Sequence, residues 1–356
     1  MAEPHPDYTL YRSRPRGLRE RLAGDEPPVR EPKRTRQPRS KRSRRRTFGR
    51  ILKFALIAVF GWVGLSLVLF SISAQTRAGQ GISSAAEAKL NGGGLPPLLA
   101  TNILVLGTDR RPRGSKEPGA FSSGERTDTI MLLRVGGGTS SKLSIPRDTV
   151  VPIPGHGIDK INSAYAYGGA ALSIETIQSW TGVTIDHLIE IDLENFPKFI
   201  DSLGGITVTT PCVISDINGG TRNGGYSLRL RRGENDLDGK AALAYARTRK
   251  NSCIASYDDL SRARAQQQIL GGVRGRVLSV GGFLHLPWAS WNAPQAIRTD
   301  MGAAGLLGVM SSIAIAGSPP PLVMKPTGAV TLPGGGAGLV VDEASRQRVV
   351  DRFMNG

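Results

Sequence analysis

The chain has 356 residues, of which 39% are hydrophobic and 21% are charged, and its formal net charge is +17. This length is enough for one large globular domain with appendages and does not require two. A charge of this size would indicate a nucleic-acid-binding protein if it covered a folded surface. However, 17 of the 46 Lys and Arg residues, against six of the 29 acidic residues, lie in residues 1–53. We therefore expect no nucleic acid partner.

Residues 1–53 are rich in Arg, Pro and Ser and lack apolar periodicity, which is typical of a disordered tail. The next segment, 54–74, is free of charge and has the length needed to cross a hydrocarbon core about 30 Å thick. A secretory signal would have a shorter apolar region of about 7 to 15 residues, so an uncleaved transmembrane helix is favoured. The basic residues before it predict a cytoplasmic N-terminus and an extracytoplasmic body, on a single-pass protein of the cell membrane.

The body that follows is predicted to be an α/β domain. Residues 75–100 are rich in Gly, Ser and Ala and predict a linker, the domain should occupy 101–280, and 281–356 should be a C-terminal extension packed on it. Short apolar runs predict strands at 102–106, 129–135, 142–145, 188–191 and 206–209. Helical patterns with stop signals cover 170–181, 195–203, 238–247 and a segment from 258 or 259 to about 278. This alternation favours a sandwich with a largely buried sheet.

Two cysteines, Cys212 and Cys253, lie in the predicted external body, where disulfides are permitted. Their pairing would close a loop of about 40 residues and would stabilise the fold by about 4 kcal/mol on the chain-entropy model. Two unrelated buried thiols are the alternative.

Five short segments carry arginine, four of them together with aspartate, beside predicted strand ends or helix starts, where α/β folds place ligand sites. Their candidate site residues are Asp109 and Arg111, Arg126 and Asp128, Arg147 and Asp148, Arg247 and Arg249, and Asp259 and Arg262. Convergent guanidinium groups match the oxygens of a pyrophosphate. Carboxylates beside them would repel that ligand unless a divalent cation lies between, so the pattern predicts Mg²⁺. For any one segment, a plain ion pair is the alternative.

Asp259, Arg262 and Gln266 have the spacing of one helix face, so they could point into one cleft or form a salt-bridged surface.

Other chemistries are less well supported. The four histidines are far apart and no CxxC or HExxH occurs, which argues against a zinc site. There is neither a GxSxG nucleophile elbow nor a P-loop ending in GK[ST].

The order of the motifs resembles the LytR-CpsA-Psr family of cell-wall glycopolymer ligases, in the actinobacterial form with a long basic cytoplasmic tail. The resemblance covers residues 101–275. It is carried by NILVLGTDRR, RTDTIMLLRV, SIPRDTVVPIPG, KINSAYAYGG, DSLGGITV, LDGKAALAYARTR and DDLSRARAQQQ, in that order, and more weakly by LPWASWNAP and TDM. Any one string is weak, but their joint occurrence at this spacing is specific.

The resemblance implies an α/β/α sandwich around a mixed central sheet, with a groove for a polyprenyl chain and a polar mouth for its pyrophosphate. It also implies a phosphotransferase that moves a glycopolymer from a polyprenyl-pyrophosphate carrier to a hydroxyl of peptidoglycan and releases polyprenyl phosphate. Two alternatives remain open. One is a non-catalytic cell-wall binding or assembly protein, and the other is a pyrophosphatase acting on the same carrier.

The resemblance further assigns roles by motif position. Asp128 and Asp259 would be the carboxylates associated with Mg²⁺ or Mn²⁺. The catalytic residues would be Asp109, Arg126, Arg147 and Asp148, with Asp109 or Asp148 helping to deprotonate the acceptor hydroxyl. The substrate-binding residues would be Arg111, Arg247, Arg249, Arg262 and Gln266.

One position departs from the family pattern. Ala265 stands where a second arginine is usual, and Arg264 lies one residue earlier. One residue turns a helical side chain by about 100°, so we expect Arg264 to miss the cleft unless its long stem bends back.

Overall fold

The computed structural model describes residues 41–78, 81–94, 96–108, 127–218, 226–248, 259–315, 322–333 and 336–355. The chain divides into two compact units, Met1–Ala55 and Leu56–Gly356. In the first unit the described residues are helical, and the side chains of residues 48–55 are exposed. Most of the predicted disordered tail, residues 1–40, lies outside the described residues. The second unit contains the sheet.

The described residues form ten α-helices, a 3₁₀ turn at Pro294–Ala296, and fourteen strands. The helices are α1 (Lys41–Ala78), α2 (Ser84–Glu87), α3 (Ser163–Thr181), α4 (Phe196–Ser202), α5 (Gly239–Arg247), α6 (Asp259–Val277), α7 (Val280–Leu284), α8 (Leu286–Asn292), α9 (Ala303–Ile315) and α10 (Glu343–Asn355). The strands are β1 (Thr101–Thr108), β2 (Thr127–Gly136), β3 (Thr139–Ile145), β4 (Val150–Ile153), β5 (Gly157–Lys160), β6 (His187–Ile191), β7 (Ile206–Thr210), β8 (Ile214–Asn218), β9 (Tyr226–Leu230), β10 (Gly233–Leu237), β11 (Ile297–Thr299), β12 (Leu322–Val323), β13 (Gly328–Thr331) and β14 (Ala337–Val340).

Six strands form the central sheet, in the order β11-β6-β1-β2-β3-β12. β1 is parallel to β6 and β3 is parallel to β12, whereas the other neighbouring pairs are antiparallel. The sheet is therefore mixed, as the resemblance implies. The other described strands pair in twos: β4 with β5, β7 with β10, β8 with β9, and β13 with β14.

Apolar side chains cover both faces of this sheet. Successive residues of a strand point to opposite faces, so Leu104 and Leu106 of β1 join one apolar cluster and Ile103 joins another. The first cluster includes residues of α3 and α10, and the second includes residues of α1 and α9. Helices on both faces make this an α/β/α sandwich, and the predicted fold class is confirmed.

A separate apolar cluster lies outside the central sheet. It is built from β7, β8, β9 and β10 together with α4, α5 and α6, and it includes Ile206 and Val208. The strand predicted at 206–209 is present, but it pairs only with β10 and not with the central sheet. Buried and exposed residues alternate along β7, so one face of this strand is apolar. That face packs against helices and not in the main core.

Glycines end helix α3 and kink it near its start. Gly182 ends the helix with φ 71°, a left-handed conformation that glycine adopts without a steric penalty, and this confirms the predicted stop. The helix begins at Ser163, before the predicted start at residue 170. Gly168 and Gly169 have non-helical backbone angles and kink it, which interrupts the apolar pattern in that region.

Two aspartates organise the junction of α4 and α5. Asp238 Oδ1 accepts a hydrogen bond from Ala241 N at 2.7 Å, as expected for the residue that caps the predicted helix. Asp201, at the end of α4, accepts a hydrogen bond from Gly239 N at 2.7 Å. A Cβ on Gly239 would lie 2.1 Å from Pro197 O, so only glycine allows this close approach.

The N-terminal helix agrees with the predicted span. Within the described residues, one helical segment, Phe48–Arg77, is long and apolar enough to cross a membrane. It contains the predicted span 54–74. Part of the segment expected to be a linker is folded on the domain, because Ala86 is fully buried in the main core and Asn91 N donates a hydrogen bond to Ile185 O at 3.1 Å.

Candidate functional site at the end of the sheet

Two of the arginine–aspartate segments meet at one end of the central sheet. β2 and β3 pair with Ile130 opposite Ile145, and this register, carried two residues further, brings Asp128 opposite Arg147. The end of β1 lies beside the start of β2, and the carboxyl end of the parallel strand β6 points the same way. This is the end of an α/β sheet at which ligands usually bind.

Arg147 contacts two carboxylates. Its Nη1 donates a hydrogen bond to Asp128 Oδ1, and its Nε lies 3.7 Å from Asp148 Oδ2. Lys160 Nζ lies 3.0 Å from Asp148 Oδ1. The four side chains are 19% to 26% exposed, so they are partly shielded from water but still accessible to a ligand. Two cations and two carboxylates therefore form one continuous chain of ion pairs.

Backbone contacts hold the turn that carries this arginine. Thr149 Oγ1 donates to Pro146 O at 2.7 Å, and Asn162 N donates to Arg147 O at 3.2 Å. From the C-terminal region, Leu339 N donates to Asp148 O at 2.9 Å. The guanidinium is thus carried by backbone that is tied on several sides, which is what a preorganised binding group requires.

Helix α6 is tied to the strand that leads into the arginine. Gln267 Nε2 donates to Ser144 Oγ of β3 at 2.8 Å, and both residues are buried. Tyr245 OH donates to Gln268 Oε1 at 2.5 Å, which joins α5 to α6. Gln266, predicted to bind substrate, is partly exposed on the same helix. The glutamine run of α6 therefore lies against the strand that bears the site.

The position that departs from the family pattern is in the core. Ala265 is 2% exposed and packs in the apolar cluster around β7, α5 and α6. Arg264 is exposed, in keeping with the turn of about 100° that separates neighbouring helical residues. The side chain at 265 therefore contributes packing, and the charge one position earlier faces solvent.

Neither Lys160 nor Asn162 is predicted from the sequence as a site residue. Lys160 belongs to the ion-pair chain, and Asn162 supports the backbone of Arg147. Asn162 Oδ1 is buried and has no hydrogen-bond partner among the described residues, which leaves an acceptor for a ligand or water. Both lie in the KINSAYAYGG segment, whose place in the resemblance is the signal that points to them.

The structure brings together Asp128, Arg147 and Asp148. Arg247 is the last residue of α5 and is partly exposed. The side chains of Asp259 and Arg262, in the first turn of α6, lie outside the described part of the structure. So do these residues: Asp109, Arg111, Arg126 and Arg249. Convergence of the remaining arginines on this site stays a prediction.

Cys212 is disulfide-bonded. Its predicted partner, Cys253, lies outside the described residues. The predicted pairing is consistent with the bonded state of Cys212.

The described residues contain no group of three or more His, Cys, Asp or Glu side chains arranged to hold a metal ion. Asp128 offers one carboxylate, which is already hydrogen-bonded to Arg147. Mg²⁺ is commonly held by one or two carboxylates together with substrate phosphates and water. The donor chemistry is therefore compatible with a Mg²⁺ ion that binds together with a diphosphate.

Comparison with known sequences gives related proteins of cell-wall assembly. The chain is 38% identical over 179 residues to the polyisoprenyl-teichoic acid–peptidoglycan teichoic acid transferase TagU of Oceanobacillus iheyensis. The aligned region covers 48% of this chain and 49% of that protein. The chain thus spans about half the length of the curated relatives it matches.

Solved structures share the fold. TagV of B. subtilis matches with a TM-score of 0.58 at 25% identity, covering 72% of this chain and 96% of that one. YwtF (TagT) with bound octaprenyl pyrophosphate lipid matches with a TM-score of 0.52 at 23% identity, covering 75% of this chain and 98% of that one, a likeness of fold alone. Residues 87–319, more than half of the chain, match the family's profile, so this chain belongs to the LytR_cpsA_psr family.

Proposed function

We propose that this chain is a phosphotransferase that moves a glycopolymer from a polyprenyl-pyrophosphate carrier to peptidoglycan during cell-wall assembly. The observation that carries the proposal is the partly exposed Arg147, oriented by Asp128 and Asp148 at the ligand-binding end of the sheet. Two relatives support the substrate class. TagU is named as a transferase of teichoic acid to peptidoglycan, and TagT was solved with an octaprenyl pyrophosphate lipid.

The chemistry of this proposal is displacement at phosphorus. An acceptor hydroxyl oxygen attacks the phosphorus that bears the glycan, the bond to the bridging oxygen breaks, and polyprenyl phosphate leaves with the electron pair. Negative charge grows on the bridging and non-bridging oxygens as this happens. The planar guanidinium of Arg147 can donate two hydrogen bonds to such oxygens, which lowers the barrier by stabilising that charge.

The hydroxyl proton must pass to a base. We propose Asp109 for that role in preference to Asp148. Asp148 lies 3.0 Å from Lys160 Nζ and 3.7 Å from Arg147 Nε, so its charge is already used to position cations. Asp109 follows β1 directly and is a carboxylate of the first motif.

Mg²⁺ is a further part of the proposal, with Asp128 and Asp259 as the carboxylates that would hold it. When bound, the ion would neutralise charge on the diphosphate. We also propose that α1 anchors the chain as a single-pass membrane protein, with the N-terminus in the cytoplasm and the domain outside, so that enzyme and lipid-linked donor share one plane.

The test uses the full chain in proteoliposomes that contain a synthetic polyprenyl-pyrophosphate glycan and peptidoglycan fragments. We expect Arg147→Ala to lower the rate of polyprenyl phosphate release by about 10²-fold or more, because it removes a donor to the developing charge. Arg348→Ala is the matched control, since it removes an exposed arginine of α10 and should leave the rate unchanged. Equal rates in the two variants would rule out the role of Arg147.

The product distinguishes the proposal from its alternatives. A transferase places the glycan on peptidoglycan, and omission of peptidoglycan stops turnover. A pyrophosphatase releases free phosphoglycan whether or not the acceptor is present. A non-catalytic wall-binding protein releases no polyprenyl phosphate in either case.

A further inference from the structure

We infer that α7 and α8 insert into the lipid bilayer beside α1, so that the domain is seated in the membrane leaflet on its own side. The inference rests on the proposed anchoring of the chain by α1. It concerns the segment 277–297, which the proposed transfer reaction does not use. The evidence comes from helix length, from contacts with α1, and from the composition and exposure of this segment.

The first step is the depth of Trp62. Phe70 and Ala74 of α1 are buried against the central sheet, so the part of α1 that crosses the membrane ends before Phe70. An α-helix rises about 1.5 Å per residue, so Trp62 then lies about 10 Å inside the hydrocarbon core of about 30 Å, in the half on the side of the domain. A membrane span that began as early as Phe48 would need about 20 residues and would still extend past Trp62. Trp62 therefore lies at hydrocarbon depth for any placement of α1 that crosses the membrane.

The second step is what Trp62 contacts. Its indole Nε1 donates a hydrogen bond to Phe283 O of α7 at 2.9 Å. Its ring lies edge-on to that of Trp288 in α8, with centroids 5.9 Å apart. Higher on α1, Ser73 Oγ donates to Trp291 O at 2.6 Å. Because these contacts fix α7 and α8 to the apolar part of α1, both helices share its depth.

The third step is the chemistry of the segment. No Asp, Glu, Lys or Arg occurs between Arg276 and Arg298, in a chain that is 21% charged. Pro287 and Ala289 of α8 are buried, whereas several large apolar side chains of α7 and α8 face outward. Those that face outward are Val280 (80% exposed), Leu284 (59%), Trp288 (55%) and Trp291 (39%). Such a patch is costly in water and favourable in a bilayer, and tryptophan is enriched near membrane interfaces.

The backbone of the segment also suits an apolar medium, where unpaired N–H and C=O groups are costly. α7 is capped by Ser279, whose Oγ accepts a hydrogen bond from Gly282 N at 3.0 Å. His285, between the two helices, donates its N–H to Gly281 O and Gly282 O. The backbone N–H groups of Gly282 and His285 are thus paired within the segment.

The occupant of this patch is therefore lipid acyl chain. A second copy of the chain could cover the same side chains, but the patch is continuous with a helix that already lies in lipid. Seating α7 and α8 in the leaflet would hold the whole domain against the bilayer surface, because α6 leads directly into α7.

The experiment uses the full chain in nanodiscs of phosphatidylcholine with brominated acyl chains, which quench tryptophan at lipid contact. The chain has four tryptophans, and Trp180 is the matched control because it is 6% exposed in the main core, with Arg346 over its ring. We expect Trp288→Phe to remove emission that the brominated lipid quenches. We expect Trp180→Phe to remove only emission that the lipid does not reach.

Three results separate the possibilities. Loss of lipid-quenched emission in Trp288→Phe supports the inference. If Trp62→Phe loses such emission but Trp288→Phe does not, α1 is in the membrane and the inference about α7 and α8 is overturned. If Trp288 is protected from both brominated lipid and acrylamide, and the nanodiscs hold two copies, a second copy covers the patch and the inference is also overturned. None of these readouts depends on catalysis, so a failure of the proposed function is measured separately.

Discussion

At the end of the sheet opposite the candidate site, His187 Nδ1 lies 2.5 Å from Asp300 Oδ2, while Asp300 Oδ1 accepts a hydrogen bond from Leu188 N at 2.9 Å. The hydrogen bond with Asp300 raises the pKa of His187 and outweighs the burial that lowers it. A histidine with a raised folded-state pKa stabilises the fold fully below its unfolded pKa, about 6.5. This contribution is lost as pH rises through the folded-state pKa.

We therefore predict that the free energy of unfolding of the full chain in detergent decreases as pH rises above about 6.5. His187→Asn keeps a neutral N–H donor near Asp300 and should flatten this dependence. Urea unfolding followed by near-ultraviolet circular dichroism at several pH values measures it. Identical pH profiles for the wild type and the variant would contradict the assignment.

Among the secondary-structure elements, α6 approaches β7 closely because of one glycine. A Cβ on Gly272 would lie 2.8 Å from Thr207 O, whereas a Cβ on the adjacent Gly271 would meet nothing within 4 Å. Both glycines lie inside α6, so alanine brings the same gain in helix propensity at each. The two positions differ only in what surrounds them.

We predict that Gly272→Ala lowers the free energy of unfolding by about 1–3 kcal/mol, because backbone must shift to admit the methyl group. Gly271→Ala is the control and should raise it by about 0.5–1 kcal/mol. Chemical denaturation of the two variants in parallel measures both values. If the variants were equally stable, the close packing of α6 on β7 would be disproved.

On the scale of the whole molecule, the C-terminal segment is part of the sandwich. Phe353 of α10 is fully buried in the main core, and its carbonyl accepts a hydrogen bond from Ser141 Oγ at 2.5 Å. Met324, also fully buried, donates its N–H to Ser144 O at 2.9 Å. Phe353 and Met324 lie beyond residues 87–319, where the family match ends, whereas their partners Ser141 and Ser144 lie within it. The domain therefore uses this chain's own C-terminal segment to close one face of its sheet.

We predict that Phe353→Ala costs about 3–5 kcal/mol of stability, through lost burial and the cavity left behind. Arg352→Ala, at the neighbouring exposed position, should change stability by less than about 0.5 kcal/mol. Thermal unfolding of both variants gives the comparison. A small effect for Phe353→Ala would mean that α10 is not integral to the core.

Much of the fold can be predicted from residues that are close together in the sequence. The apolar length of 54–74, the cap at Asp238 and the stop at Gly182 depend on residues close in the chain, and each prediction matches an observed element. The motif order also leads to the family and to Asp128, Arg147 and Asp148. By contrast, the pairing of β7 outside the central sheet and the packing of residues 81–94 arise from distant partners, which periodicity does not reveal.

What the sequence alone determined is therefore the helix that can span a membrane, the sandwich class and the charged residues of the site. Only the tertiary structure decided which groups meet: Lys160 with Asp148, Gln267 with Ser144, and Trp62 with α7 and α8. The physical reason is the distance along the chain between the residues that interact. Local preferences follow from neighbouring residues, whereas these contacts join side chains from elements that only strand register and core packing bring together.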